Sequence, residues 1–176
     1  MTFFKENLKN VKAFIFDVDG VLSKEATPLT EEGEPSRTTN VKDGYAIRNA
    51  SNMGYPVGLI TAGFVERVKL RHQKLGIKYI YMGVSDKLAA LEDFIEKTGV
   101  KKEEILFMGD DYPDVPVLKA VGVPVCPIDA APDIKELSVY ISEKKGGEGC
   151  VRDVIEQVMR AQNTWINENS YYWKSS

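Results

Sequence analysis

The chain has 176 residues, 43% of them hydrophobic, and sets 23 lysines and arginines against 26 aspartates and glutamates for a net charge of −3. That is material for one domain with a sizeable core, and the absence of a long basic run argues against nucleic acid or an anionic membrane surface as partner. An anionic small molecule stays open, because a site needs only a few local cations. No segment reaches the unbroken apolar length of a membrane span, and Lys5, Glu6, Lys9 and Lys12 interrupt the apolar N-terminus, so no secretory signal is read there. The expectation is a cytoplasmic protein in which Cys126 and Cys150 remain thiols.

Short apolar runs alternate with amphipathic stretches, as in a layered α/β domain. The first run, 11–17, ends in Asp17, with Asp19 two residues on and Gly20 to permit a tight turn. Residues 24–42 then break the rhythm: they are polar, hold Pro28, Gly33 and Pro35, and predict a β-hairpin flap turning near Glu31 to Glu34. A helix over 43–53 leads to the run 56–61, which closes on Thr61, Ala62 and Gly63. Helix 64–75 and run 77–82 follow, and Lys87 opens a helix over 87–98 whose Leu88, Leu91, Phe94 and Ile95 share one stripe. Run 105–109 continues into Asp110, Asp111 and Asp114, ahead of helix 113–121, runs 123–126 and 138–142, and helix 148–162. The predicted fold is a Rossmann-like parallel sheet with helices on both faces, a single domain over 1–162 and an aromatic tail over 163–176.

Asp17 and Asp19 could be turn formers, Thr61 a helix cap, and the acidic cluster a cap for the helix after Pro113. Together, at the strand ends where open α/β sheets bind ligands, they mean more. Thr61 and the N–H groups after it suit a phosphate, and Lys87 sits where the helix dipole disfavours a cation unless an anion is near. Asp110, Asp111 and Asp114 suit a hard divalent cation. The chemistry that uses all of these is phosphoryl transfer through an aspartyl phosphate. One carboxylate attacks phosphorus while Mg²⁺ and a lysine reduce charge repulsion, and a second handles the protons of leaving group and water; Asp17 and Asp19 fit those two roles.

These motifs, Asp17-Val18-Asp19-Gly20-Val21-Leu22, Thr61, Lys87 and Gly109-Asp110-Asp111 with Asp114, resemble in order those of the haloacid dehalogenase superfamily of phosphatases. The resemblance implies a fold without a cap domain, Asp17 as nucleophile, Asp19 as general acid and base, and Thr61 and Lys87 on the transferring phosphate. It implies Mg²⁺ held by Asp17, the Asp19 backbone carbonyl and Asp110, with Asp111 and Asp114 in support. The stretches NVKDGYAIR (40–48), LGIKYIYMG (75–83), the run 109–132 and GGEGCVRDVIEQV (146–158) are similar to the small capless branch that hydrolyses 3-deoxy-D-manno-octulosonate 8-phosphate. For this branch the resemblance puts Asn40, Val41, Lys42, Asp43, Gly44, Arg48, Ala62, Arg71 and Lys87, with Asp19, against the sugar phosphate. It also implies a homotetramer in which a neighbour covers each active site, and a role in lipopolysaccharide synthesis.

One departure concerns the second motif, where this branch commonly carries arginine and a related nine-carbon branch glutamate. Here the residues are Thr61-Ala62-Gly63-Phe64, with Arg67 the nearest cation; Gly63 in place of glutamate argues against the nine-carbon branch, whose ulosonate 9-phosphate is the alternative substrate. A phosphorylation-switch receiver domain combines the same residue types, but its acidic pair precedes the acceptor aspartate. The order here is the reverse. His72, in the predicted helix 64–75, reads as a surface or partly packed residue.

Overall fold

Aromatic and β-branched side chains dominate Ala13–Phe16, and this stretch forms β1, with all four residues buried. The computed structural model describes residues 4–173. After a short α1 (Phe4–Asn7) and β1, the chain runs through α2 (Val41–Asn52), β2 (Val57–Thr61), α3 (Glu66–Lys74), β3 (Tyr79–Met82) and α4 (Lys87–Thr98). It continues with β4 (Ile105–Met108), α5 (Val115–Ala120), β5 (Val123–Cys126), α6 (Pro132–Leu137), β6 (Tyr140–Ile141) and α7 (Cys150–Ala161).

The strands pair in parallel in the order β3-β2-β1-β4-β5-β6. From β1 the chain first builds outward to β3, then returns to the other side of β1 as β4. The C-terminal ends of β1 and β4 therefore flank the point where the winding reverses, the place such sheets leave a crevice. Side chains alternate across the sheet: Phe14 and Phe16 join the core under α2 and α7, while Ala13 and Ile15 join the core under α4 and α5. With both faces covered, the strands read as continuous apolar runs.

Every predicted run became a strand; β5 keeps the predicted bounds and the others are shortened at one or both ends. The predicted helix 113–121 opens as a 3₁₀ turn, Tyr112–Asp114, before α5. Helix α6 was not expected: it has six residues, of which only Ile134 is buried, too few for a periodic signal. Residues 24–42 turn back through a single antiparallel bridge, Leu29 to Pro35, flanked by Thr30 N–H to Glu34 carbonyl (2.7 Å) and Ser36 N–H to Pro28 carbonyl (2.8 Å). Pro28 and Pro35 have no N–H to donate, which keeps this flap from becoming a longer ladder. Its two ends are tied together by Lys24 N–H to Thr38 Oγ1 and Thr38 N–H to Ser23 Oγ, both 2.9 Å.

The start of the aromatic tail packs on the chain's own α2, while Tyr171, Tyr172 and Trp173 stay exposed. Trp165 is buried, its carbonyl accepts from Asn49 Nδ2 at 2.8 Å, and the Tyr45 hydroxyl donates to the Ser170 carbonyl at 2.6 Å. The last three residues of the predicted tail, 174–176, lie outside the described residues.

Asp43, in the first turn of α2, is buried and accepts the Arg152 N–H at 2.7 Å, joining α2 to the start of α7. Burial raises its pKa from 3.8 to about 6. Between those values the folded chain holds a proton that the unfolded chain has released, so this group's contribution to stability falls as pH rises through the window. A shift of this size corresponds to about 3 kcal/mol. Asp43→Asn removes the titration and flattens that fall, which urea midpoints at about pH 4.5 and pH 7 would read. An unchanged pH slope in the variant would refute the assignment.

Candidate active site

The ladder between β1 and β4 extends one residue past β1, through Asp17 N–H to the Met108 carbonyl at 3.0 Å, which fixes the backbone of Asp17 against the sheet. Its Oδ1 accepts the Val18 N–H at 2.6 Å, and its Oδ2 lies 2.9 Å from Lys87 Nζ. Lys87 is the first residue of α4, and Asp86, the cap before it, accepts the Leu88 and Ala89 N–H groups. The anion expected beside this dipole-disfavoured lysine is present twice, since Lys87 also donates to Asp114 Oδ1 at 2.7 Å. The second oxygen of Asp114 accepts the Asp110 N–H at 3.0 Å and the Asp111 N–H at 3.5 Å. Asp114 thus orders the loop after β4 and holds Lys87 against Asp17.

Two glycines let these groups approach. A Cβ on Gly20 (φ +79°) would lie 1.9 Å from Asp110 Oδ2, and one on Gly109 would lie 2.5 Å from Asp114 Cβ. The glycine after the paired aspartates therefore does more than permit a turn: it leaves the space that the Asp110 carboxylate fills.

Asp17, Asp110 and Asp114 each bring a carboxylate oxygen within 4.8 Å of the others. Burial, then Asp114, push the pKa of Asp17 up to about 7 despite Lys87; burial, then Asp17 and Asp114, push Asp110 up to about 8. Burial also works against the Lys87 ammonium, but Asp17 and Asp114 outweigh it and raise its pKa above 10.5. One lysine among three acids leaves surplus negative charge at the mouth of the sheet, and oxygen donors in this number fit a hard divalent cation. Asp110 is the freest of the three, since its carboxylate accepts no hydrogen bond among the described residues.

These groups line a cavity of about 370 Å³ together with Asp19, Gly20, Thr61, Ala62, Gly63 and Asp111. Thr61 is buried, its Oγ1 accepting the Gly63 N–H at 3.3 Å. Asp111 caps the turn after β4 by accepting the Tyr112 N–H at 2.9 Å. A second cavity, about 730 Å³, lies between the flap, α2 and α3, and Asn40, Asp43, Gly44 and Arg71 line it. A Cβ on Gly44 would come within 2.9 Å of Arg71 Nη2, so that glycine makes room for the arginine, whose Nε is buried without an acceptor.

Asp17, Asp19, Thr61, Ala62, Lys87, Asp110, Asp111 and Asp114 are therefore brought together in one cavity, and Asn40, Asp43, Gly44 and Arg71 in the next. Val41, Lys42 and Arg48 line neither. Arg48 is buried and turned away: its Nη1 donates to the Lys74 carbonyl at 3.1 Å and its guanidinium lies 4.8 Å from the Trp173 ring. Val41 and Lys42 are exposed at the start of α2. Asn40 caps α2, accepting the Lys42 and Asp43 N–H groups. His72 is buried rather than at the surface, its Nδ1 2.7 Å from the Val68 carbonyl. Sequence reasoning missed Arg37, which pairs with Asp19 through two contacts, Nε to Oδ1 at 2.9 Å and Nη2 to Oδ2 at 3.0 Å. It is the single arginine of an aperiodic polar segment, and only that isolation marks it.

Residues 60–155 match the family model of haloacid dehalogenase-like hydrolases. The 3-deoxy-D-manno-octulosonate 8-phosphate phosphatase KdsC of Escherichia coli K12 is 38% identical over 154 residues, 88% of this chain and 82% of that protein. The chain belongs to this phosphatase family. Solved structures of the family superpose closely. That of the Yersinia pestis phosphatase has a TM-score of 0.87 at 34% identity, covering 92% of this chain and 87% of that one. The Moraxella catarrhalis phosphatase, solved with magnesium, phosphate and a KDO molecule, has a TM-score of 0.85 at 32% identity, covering 91% of this chain and 92% of that one. The chain is accordingly a phosphatase of the capless haloacid dehalogenase fold, and no helix among the described residues is long and apolar enough to cross a membrane.

Proposed function

We propose that this phosphatase hydrolyses 3-deoxy-D-manno-octulosonate 8-phosphate, with Mg²⁺, to the free ulosonate and inorganic phosphate. The observation that carries the reading is the pocket in which Lys87 is clamped between Asp17 and Asp114, at 2.9 and 2.7 Å, beside a larger cavity that reaches Arg71. The Moraxella relative with magnesium, phosphate and KDO bound supports the same ligand set. Asp17, the Asp19 backbone carbonyl and Asp110 would hold the metal: the Asp110 carboxylate accepts no hydrogen bond among the described residues, and Asp114, bound by Lys87 and two backbone N–H groups, is the most engaged of the three acids. When bound, Mg²⁺ supplies charge neutralisation for the phosphoryl oxygens.

The chain's own residues perform the steps. Asp17, its carboxylate fixed by the Val18 N–H and Lys87, attacks phosphorus as the bond to the substrate's terminal oxygen breaks, giving an aspartyl phosphate. Asp19 protonates the departing alkoxide, then removes a proton from the water that attacks phosphorus and returns Asp17. Lys87 and Thr61 hold the phosphoryl oxygens. Exposed Leu29, Val41 and Phe64 on the flap, α2 and the loop after β2 suit burial against neighbouring subunits, which supports a tetramer that closes the site from water. A place in lipopolysaccharide synthesis follows from this substrate.

A phosphate-release screen tests the reading with eight- and nine-carbon ulosonate phosphates and hexose phosphates, each with and without Mg²⁺. The expected result is Mg²⁺-dependent turnover with kcat/KM for the eight-carbon ester at least about tenfold above the others, a discrimination of about 1.4 kcal/mol. Equal, poor turnover of all would reject the substrate.

A further inference from the structure

The two cavities meet at one ion pair. Asp19 and Gly63 line the smaller, Arg37 and Phe64 the larger. The Arg37 side chain is only 9% exposed, although it comes from the flap, and its remaining terminal nitrogen, Nη1, donates to the Pro35 carbonyl at 2.7 Å. A Cβ on Gly63 would stand 2.8 Å from Arg37 Nη2 and 3.3 Å from Asp19 Oδ2, so the pair in this position depends on the bare glycine beside it. Glycine at this position and the arginine of the flap thus form one arrangement.

This pairing conflicts with turnover. Both oxygens of Asp19 accept from Arg37, and in that state Asp19 cannot reach the leaving oxygen with a proton. Separating the pair leaves a largely buried guanidinium that needs another anion with two oxygens in a plane. The substrate proposed above carries such a group at the end remote from its phosphate, and the larger cavity, which Arg37 lines, offers that end a place beside the phosphate pocket. Resting on that reading, we propose that Arg37 exchanges the Asp19 carboxylate for the substrate's carboxylate, so that recognition of the acid end frees Asp19 for proton transfer. Arg37 is then a specificity-determining residue. No covalent bond is made or broken in the exchange; only two N–H donors of Arg37, on Nε and Nη2, change partner.

The test compares wild type with Arg37→Ala, Arg37→Lys and Gly63→Ala, using ulosonate phosphates, glucose 6-phosphate and p-nitrophenyl phosphate. Calorimetry of the free ulosonate gives a readout apart from turnover, and thermal melting checks that each variant folds. Losing two charge-assisted hydrogen bonds should lower the ratio of kcat/KM for carboxylated over uncharged-tail esters by about 10- to 100-fold in Arg37→Ala, and weaken ulosonate binding similarly. Turnover of the uncharged-tail esters should rise, because Asp19 no longer waits for release. Arg37→Lys should recover part of the ratio, and Gly63→Ala, which pushes Nη2 away, should lower it less than Arg37→Ala does. An equal loss on all esters, or unchanged ulosonate affinity in Arg37→Ala, would overturn the proposal. The wild-type preference itself judges the substrate reading: should wild type favour an uncharged-tail ester, that reading fails. The response of the ratio to Arg37→Ala still decides the role of the arginine.

Discussion

Asp17→Asn is expected to lower phosphate release by about 10⁴-fold or more, because an amide oxygen is a poor nucleophile and the other residues cannot act in its place. The folded protein should not suffer with it. Burial and Asp114 lift the Asp17 pKa to about 7, so its negative charge is held against the surroundings, and an uncharged side chain of the same shape relieves three crowded acids. Lys87 keeps its 2.7 Å partner in Asp114. Without divalent cation, the variant should therefore melt at or above the wild-type temperature at about pH 8, one unit above that pKa. Near-normal turnover would remove Asp17 from the chemistry, and a large fall in melting temperature would show that the electrostatic account of the pocket is wrong.

Lys87→Met should do the opposite to stability. The ammonium is 5% exposed and sits between two carboxylates, so its loss leaves Asp17 and Asp114 facing each other and Asp110 with nothing between them but solvent. Removing one partner of a buried pair costs about 3–5 kcal/mol, and turnover should fall by about 10³-fold as the phosphoryl group loses its nearest cation. Adding Asp17→Asn to Lys87→Met should recover part of the lost stability, and the non-additive remainder measures the coupling of the two side chains. Denaturant midpoints of the four proteins give that number. Strict additivity would contradict the clamp described above.

The lysine and the paired aspartates were legible in the sequence for the same reason. Each breaks a local rule, a charge closing an apolar strand or a cation at a helix start, and a broken rule marks a residue whose partners lie elsewhere in the chain. Asp114 was legible as a supporting carboxylate through the family resemblance, not through its spacing. Spacing alone cannot tell a metal ligand from a residue that accepts two backbone N–H groups and a lysine. Arg37 left no pattern because the flap has no period, and its partner lies 18 residues back across a turn. Arg48 was assigned to the substrate from the stretch around it, but its contact with Trp173 depends on where a distant tail packs. Four of the six strands, β1, β2, β4 and β5, were readable because every residue in them is buried, whereas α6 buries one residue and gives no signal.

The flap's clasped base has a consequence for engineering. Ser23 and Thr38 bind each other's stretch of backbone within a few residues of Asp19, so the loop between them is a closed ring hung on the active site by a fixed clip. Doubling the length of such a ring adds only about 0.6 kcal/mol of closure entropy. Residues 25–34 can accordingly be treated as a replaceable cassette: new sequences grafted between Lys24 and Pro35 would change what passes over the pocket while the clip, and the Pro35 carbonyl that holds Arg37, stay in place.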